Sequence, residues 1–404
     1  MKDVLIVSHY YHFEYEKESS RYKTLCKMLS TEQEISLELV TSSFYHRTKK
    51  QRNRNKAESS ESFKVTLIDE PTYQKNISLR RLYSSHIFAR NVISYIKKRK
   101  KPDLIYQVVP SLDVADVVTL YARQNDIPLV IDIQDLWPEA FRMAIDIPVI
   151  SDILFAPMMK KANRIYSRAD AIIAVSNTYV SRGLDANPAC NMTACAYIGG
   201  DVDLIERESS KYSIEKPENE FWIAYAGALG HSYDISIVIK ALSKLQSQNI
   251  KKVVFHIMGD GPLREKFEKE SSDAGINTIF YGHLSYGHLM AILSKADVAV
   301  NPINSKSVAS IINKVSDYAL SSLPVINTQP SSEYCNLIEE FSCGFNCCDD
   351  KANAIARCIW QLIISPDLRK TMQQGAARLG NSKFNRSLTY QHIIQCIKSL
   401  LNIS

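Results

Sequence analysis

The fold is decided by Asn313-Lys314-Val315-Ser316-Asp317-Tyr318-Ala319-Leu320-Ser321-Ser322-Leu323-Pro324-Val325-Ile326, preceded by the apolar run Ala296-Asp297-Val298-Ala299-Val300. The run predicts a buried strand. The polar residues after it predict a loop, and the spacing from Asn313 predicts a helix carrying Lys314 and Asp317 three positions apart. Pro324 stops that helix and Val325-Ile326 starts another strand. A cation in the first turn of a helix at the C-terminal edge of a parallel sheet lies beside unpaired N–H groups and the positive end of the helix dipole, a place suited to phosphate. A carboxylate one turn later can accept hydrogen bonds from a ribose diol. Together they predict a nucleotide. A surface lysine and aspartate on a crossover helix would give the same spacing.

Working outward, the segment after Gly199-Gly200 repeats one pattern. Strands at 221–226, 253–258 and 278–281 run into Gly227-Ala228-Leu229-Gly230, Gly259-Asp260-Gly261-Pro262 and Gly282-His283-Leu284-Ser285, each followed by a helix. Glycines in register along one sheet edge let backbone N–H groups approach a ligand, although each alone is more often a plain turn residue. The first half alternates in the same way, with strands at 4–8, 37–41, 63–68, 103–109, 128–133 and 171–176. Continuous apolar strands separated by helices predict parallel sheets covered on both faces. Residues 46–62 read as a mobile loop, 79–99 as a helix, and 387–402 as a closing helix.

The chain has 404 residues, 45% hydrophobic and 23% charged, which predicts two globular domains. No apolar run reaches the length of a membrane span, and Met1 leads straight into strand-like residues without a signal sequence. The nine cysteines show no metal spacing and predict reduced thiols, with Cys343, Cys347 and Cys348 clustered near the surface. Residues 1–200 hold 28 Lys and Arg against 22 Asp and Glu, whereas residues 201–404 hold 21 of each, so the whole excess of +6 lies in the first half. It concentrates in 46–56 and 97–101, patches that attract anionic lipid or a pyrophosphate-bearing substrate. Aromatic residues are not interleaved there as nucleic-acid binding would require, so nucleic acid is not an expected partner.

Several of these motifs, in order, resemble the retaining glycosyltransferases of family 4, in the branch that builds bacterial surface polysaccharides. In the second half they are Tyr225-Ala226-Gly227 with Gly230, Met258-Gly259-Asp260-Gly261-Pro262, Phe280-Tyr281-Gly282-His283, Ala296-Asp297-Val298, Asn313-Lys314 with Asp317-Tyr318, and Pro324-Val325-Ile326. In the first half, Asp132-Ile133-Gln134-Asp135-Leu136-Trp137-Pro138-Glu139 is similar to that branch's D-x-R-D-L-W-P-E stretch, with Gln134 in place of arginine. Ala174-Val175-Ser176 and Gly200-Asp201-Val202-Asp203 fall where the family has its interdomain strand and linker.

The resemblance implies an α/β protein of GT-B fold: two Rossmann-like doubly wound domains facing a central cleft, with a C-terminal helix returning toward the N-terminal domain. Residues 1–198 would bind acceptor, 199–219 would be the linker, 220–380 would bind the nucleotide sugar, and 381–404 would close the chain. Asp317 matches the second acidic residue of the family's E-x7-E element, which binds ribose. The first acidic position falls at Ala309. The family's Arg/Lys pair after the first strand is absent, leaving His231 there and Lys314 as the cation for the diphosphate. Donor-binding candidates are thus Gly227, Gly230, His231, Gly259, Gly282, His283, Asn313, Lys314 and Asp317. Acceptor-binding candidates are His9, Tyr10, Arg21, Trp137 and Glu139. Lys314 and Asp135 are the catalytic candidates, Asp135 as a base or orienter of the acceptor hydroxyl, or as a cap on its turn. No metal or other cofactor is expected. Asp201 and Asp203 imitate a D-x-D metal motif but follow a Gly-Gly at a linker. Expected partners are a UDP-linked sugar donor, a lipid-linked glycan acceptor and the anionic inner face of the cell membrane, where a cytoplasmic protein would attach peripherally. Two rivals are a UDP-sugar 2-epimerase on the same fold and a non-catalytic protein binding membrane or nucleic acid through its basic half.

Overall fold

The computed structural model describes residues 1–16, 20–139, 150–245, 252–304, 311, 313–347 and 351–403. The chain divides into two compact units, Met1–Tyr197 with Thr389–Ser404, and Ile198–Leu388. Ala309 and Cys348 lie outside the described residues.

The first unit is built on a seven-stranded sheet in the order β5-β2-β1-β6-β7-β8-β9. Its strands are β1 (Lys2–Val7), β2 (Ile35–Ser42), β5 (Lys64–Ile68), β6 (Leu104–Val109), β7 (Leu129–Ile133), β8 (Ala171–Ala174) and β9 (Met192–Cys195). Every pairing in it is parallel. Alternate residues of β1 face opposite cores: Val4 and Ile6 join one cluster, Leu5 and Val7 the other. That double burial is why the strands read as continuous apolar runs. The closing helix Gln391–Leu401 places Ile393, Ile394, Ile397 and Leu401 in the first of those clusters. It begins at Gln391, after a separate turn Arg386–Thr389.

The second unit has six parallel strands in the order β12-β11-β10-β13-β14-β15. These are β10 (Glu220–Ala226), β11 (Lys252–Met258), β12 (Thr278–Gly282), β13 (Val298–Asn301), β14 (Val325–Asn327) and β15 (Gly344–Asn346). In both sheets the chain steps outward one way and then reverses, between β1 and β6 and between β10 and β13. These are the two switch points of doubly wound sheets. Helix Asn313–Leu320 follows β13. It ends with Ser322 N–H donating to the Ala319 carbonyl and Leu323 N–H to the Tyr318 carbonyl, with Ser322 at φ 56°.

Three expectations need correction. Residues 46–62 are not one mobile loop. A hairpin of β3 (Phe44–Tyr45) and β4 (Lys50–Gln51) and the helix Arg54–Glu58 occupy the region. Buried Arg52 locks it by pairing with Glu16 at 2.9 Å and donating to the carbonyls of Ser42 and Tyr11. Residues 199–219 are not a plain linker either. Asp201 caps the helix Val202–Ser209, accepting from Leu204 N–H at 3.0 Å. Cys343 and Cys347 are buried rather than superficial.

Candidate active site

The first glycine-ended strand of the second unit, β10, leads to Lys314. Its side chain is only 8% exposed. Nζ donates to the Tyr225 hydroxyl at 3.1 Å and lies 4.2 Å from the centre of the Tyr225 ring and 3.5 Å from that of Tyr233. The Tyr225 hydroxyl in turn donates to the Ala228 carbonyl at 2.8 Å, which fixes the cage. Among the described residues no carboxylate pairs with this ammonium. Burial pushes its pKa well below the ordinary lysine value, because the loss of water disfavours the charged form.

Gly227 is required by the same arrangement. Its φ is +142°, and a Cβ there would lie 2.7 Å from Lys314 Nζ. The ammonium therefore rests against bare backbone at the end of β10. Gly259 has a different cause: at φ +149°, a Cβ on it would overlap the Gly227 carbonyl oxygen. It holds two edge loops together. Gly282, at φ +70°, forms an isolated bridge with Gly259. A Cβ on Gly230 would meet nothing within 4 Å, so that loop is open. His231, His283 and Asn313 are exposed around this edge.

Asp317 is half-buried one turn beyond Lys314. Tyr286 donates to its Oδ1 at 2.8 Å, and among the described residues Oδ2 has no protein partner. Burial raises its pKa to about 6, while the Tyr286 hydrogen bond and the positive charge of Arg386 pull it down. Lys314 thus turns to the end of β10 and Asp317 to the helix Tyr286–Leu293. Tyr225, Tyr233, Tyr286 and Arg386 were not among the sequence candidates. Only Tyr225, two residues before the first edge glycine, carried a local signal. Asp201 is occupied as a helix cap. Among the described residues no group of three or more His, Cys, Asp or Glu side chains is placed to hold a metal.

The first-unit candidates divide. His9 is buried between the rings of Tyr10 and Phe88, with Nδ1 2.6 Å from Ser111 Oγ and Nε2 2.8 Å from Glu70 Oε2. Arg21 is a correction: it does not line an edge but forms a core ion pair, with Nη2 2.9 and 2.8 Å from the Asp132 oxygens. Its Nη1 donates to the Ala196 carbonyl. Glu139 accepts from Arg182 at 2.5 Å and is likewise tied down. Tyr10 is half-buried and accepts from Arg81 at 3.2 Å. Trp137 lies under the Arg81 guanidinium and donates to Asp135 Oδ2 at 3.1 Å. Burial raises the Asp135 pKa, partly countered by Trp137 and the Leu136 amide.

This geometry meets an independent finding. The model of the family described as glycosyl transferases group 1 matches residues 206–379, which include the caged lysine and every edge glycine. The chain is 23% identical over 215 residues to the putative colanic acid biosynthesis glycosyl transferase WcaI of Escherichia coli K12, covering 50% of this chain and 51% of that protein. The match thus spans about half the length of the curated relative. Among solved structures, Anabaena HepE in complex with UDP matches with TM-score 0.68 and 16% identity over 99% of this chain and 100% of that one. WaaG, a glycosyltransferase involved in lipopolysaccharide biosynthesis, matches with TM-score 0.63 and 12% identity over 97% and 98%. The fold of the chain is GT-B, with two Rossmann-like units.

Proposed function

We propose that this protein is a retaining, metal-independent glycosyltransferase. It moves a sugar, a hexose or N-acetylhexosamine, from a UDP-linked donor to a polyprenyl-diphosphate-linked glycan in surface-polysaccharide synthesis. The observation that carries the reading is Lys314: a buried ammonium with no carboxylate partner among the described residues, set against Gly227 at a sheet switch point. A diphosphate would supply the missing charge. HepE is a structural neighbour crystallised with UDP, and WcaI and WaaG point by name to polysaccharide assembly, which supports the donor and the process.

In this mechanism the bond from the anomeric carbon to the β-phosphate oxygen breaks, and a bond to the acceptor hydroxyl forms on the same face. Charge grows on the departing diphosphate, and Lys314 stabilises it from a fixed position. The two tyrosine rings hold the ammonium in place. Asp317 takes the ribose diol through its unpartnered oxygen. On the first unit Asp135 orients the acceptor hydroxyl, whose proton leaves with the diphosphate. The test is a thermal-shift panel of UDP, GDP and dTDP with their sugars. Stabilisation by UDP and one UDP-sugar is expected, at a level set by mass action. No shift with any nucleotide would overturn the reading.

A further inference from the structure

The start of the helix Leu79–Lys98 carries an apolar surface that the fold does not cover. Ile77 is 93% exposed, Leu79 84%, Leu82 63% and Tyr83 59%. Four large apolar side chains exposed within seven positions are a patch, not the scattered single residues of an ordinary surface. Positions 79, 82 and 83 follow the i, i+3, i+4 rule and share one helix face. The opposite face is committed to the core through Phe88, Ala89, Val92 and Ile96. The patch is held rigidly. Arg80 donates to the Thr72 carbonyl at 3.0 Å and Arg81 to the Asn76 carbonyl at 2.7 Å, tying the preceding loop to the helix.

The charge along this segment of the chain has one sign. Residues 71–102 contain Lys75, Arg80, Arg81, Arg90 and the five cations of 97–101, and no aspartate or glutamate. Arg80, Arg90, Lys97 and Lys98 are exposed. An aliphatic and tyrosine surface with exposed Lys75 and Arg80 beside it fits the boundary of an anionic bilayer, where apolar groups enter and arginine and lysine meet headgroup phosphates. Four side chains fall far short of the roughly 20–30 residues a side in a stable protein interface. Among the described residues no helix is long and apolar enough to cross a membrane.

We infer that the face Ile77, Leu79, Leu82 and Tyr83 is where this protein seats on an anionic lipid surface. The inference rests on the lipid-linked acceptor proposed above and gives that acceptor's membrane its docking point. It also moves the contact away from residues 46–56, where Arg52 and Arg54 are already paired with Glu16 and Asp69.

The test is co-sedimentation of the full chain with vesicles of phosphatidylglycerol and phosphatidylcholine, and with phosphatidylcholine alone. The wild type should bind the mixed vesicles, more weakly as salt rises, and bind phosphatidylcholine poorly. The variant Ile77→Ser/Leu79→Ser/Leu82→Ser replaces exposed side chains, so it should keep its Tm and its thermal shift with UDP. Its vesicle affinity should fall at least tenfold. Wild-type protein that stays in solution with anionic vesicles, or a variant that binds them as tightly as wild type, overturns the inference. So does loss of a dimer in the variant, since the patch would then belong to a second copy. Absence of a UDP shift with vesicle binding intact would instead strike only the donor reading.

Discussion

The two sheets reverse direction in the same way, yet their switch points are filled in opposite ways. Between β1 and β6 the protein satisfies itself. His9 follows β1 and Ser111 follows β6, and Glu70 completes the chain by accepting from His9, Ser42 and Ser84. Burial alone would raise the Glu70 pKa, but His9 and the hydroxyls outweigh it and hold it below the usual value. Between β10 and β13 an ammonium rests against a glycine, with no counter-charge among the described residues. One switch point is a finished hydrogen-bond network, whereas at the other the described residues offer the ammonium a hydroxyl and two rings but no carboxylate. The same topology thus gives a structural element in one unit and the proposed ligand site in the other, and the side chains decide which.

Removing each centre should break the comparison in opposite directions. Lys314→Met replaces a buried charge with an apolar chain of similar length. Turnover should fall roughly 10²–10³-fold, the scale of losing one preorganised donor. The melting temperature should hold or rise, because burial of the ammonium opposes folding. Near-normal turnover in the variant would show that another group holds the diphosphate. Glu70→Gln in the other unit should do the reverse. It leaves His9, Ser42 and Ser84 with a neutral partner and should cost about 1–3 kcal/mol of stability. UDP affinity per folded molecule should not change. A denaturant titration and a UDP titration on each variant separate the two effects.

A smaller effect sharpens the donor side. Gly227→Ala puts a methyl group where the ammonium rests and forces alanine into φ +142°. UDP affinity should fall about tenfold, a loss of about 1.4 kcal/mol, by displacement of Lys314. Gly230→Ala, in open space, should do nothing of the kind. Equal losses at both glycines would mean that loop freedom, not the ammonium's seat, governs binding.

Much of this was legible in the sequence, for reasons that individual residues show. β10 and β11 are continuous apolar runs because both faces are covered, and their terminal glycines mark the edge where loops meet closely. Lys314 and Asp317 stand out because a helix start follows a strand end. What stayed hidden depends on long-range partners. Arg21 reads as an edge residue until Asp132, 111 positions later, draws it into the core. The basic run at 46–56 looks solvated, but Arg52 belongs to Glu16. The cage of Tyr225 and Tyr233 and the Tyr286 hydroxyl on Asp317 join residues that no spacing rule links. The exposed patch at 77–83 was hidden for a related reason: helical periodicity marks an apolar face but does not say whether a neighbour covers it.

The remaining test bears on Asp317 and probes the carboxylate itself. Asp317→Asn keeps the side chain's shape and removes its charge. At pH 8 it should weaken UDP binding roughly 10- to 100-fold, the range for losing a charge-assisted contact of about 1.5–3 kcal/mol. The pH dependence then follows from the raised pKa. The folded value is about 6, against 3.8 ordinarily. The proton is therefore bound more tightly in the folded state. The stability penalty of ionising Asp317 is fully present above pH 6 and disappears as pH falls toward 3.8. Binding runs the other way, because a ribose diol donates to the ionised form. The ratio of wild-type to variant affinity should be largest at pH 8 and shrink severalfold as pH drops through about 6. Titration of the UDP phosphate affects both proteins and cancels in the ratio. The variant should also melt higher than wild type at pH 8 and lose that advantage near pH 4. A ratio that stays flat from pH 8 to pH 5, while UDP binds both proteins measurably, would mean that Asp317 does not touch the ribose. The donor reading would then rest on Lys314 alone.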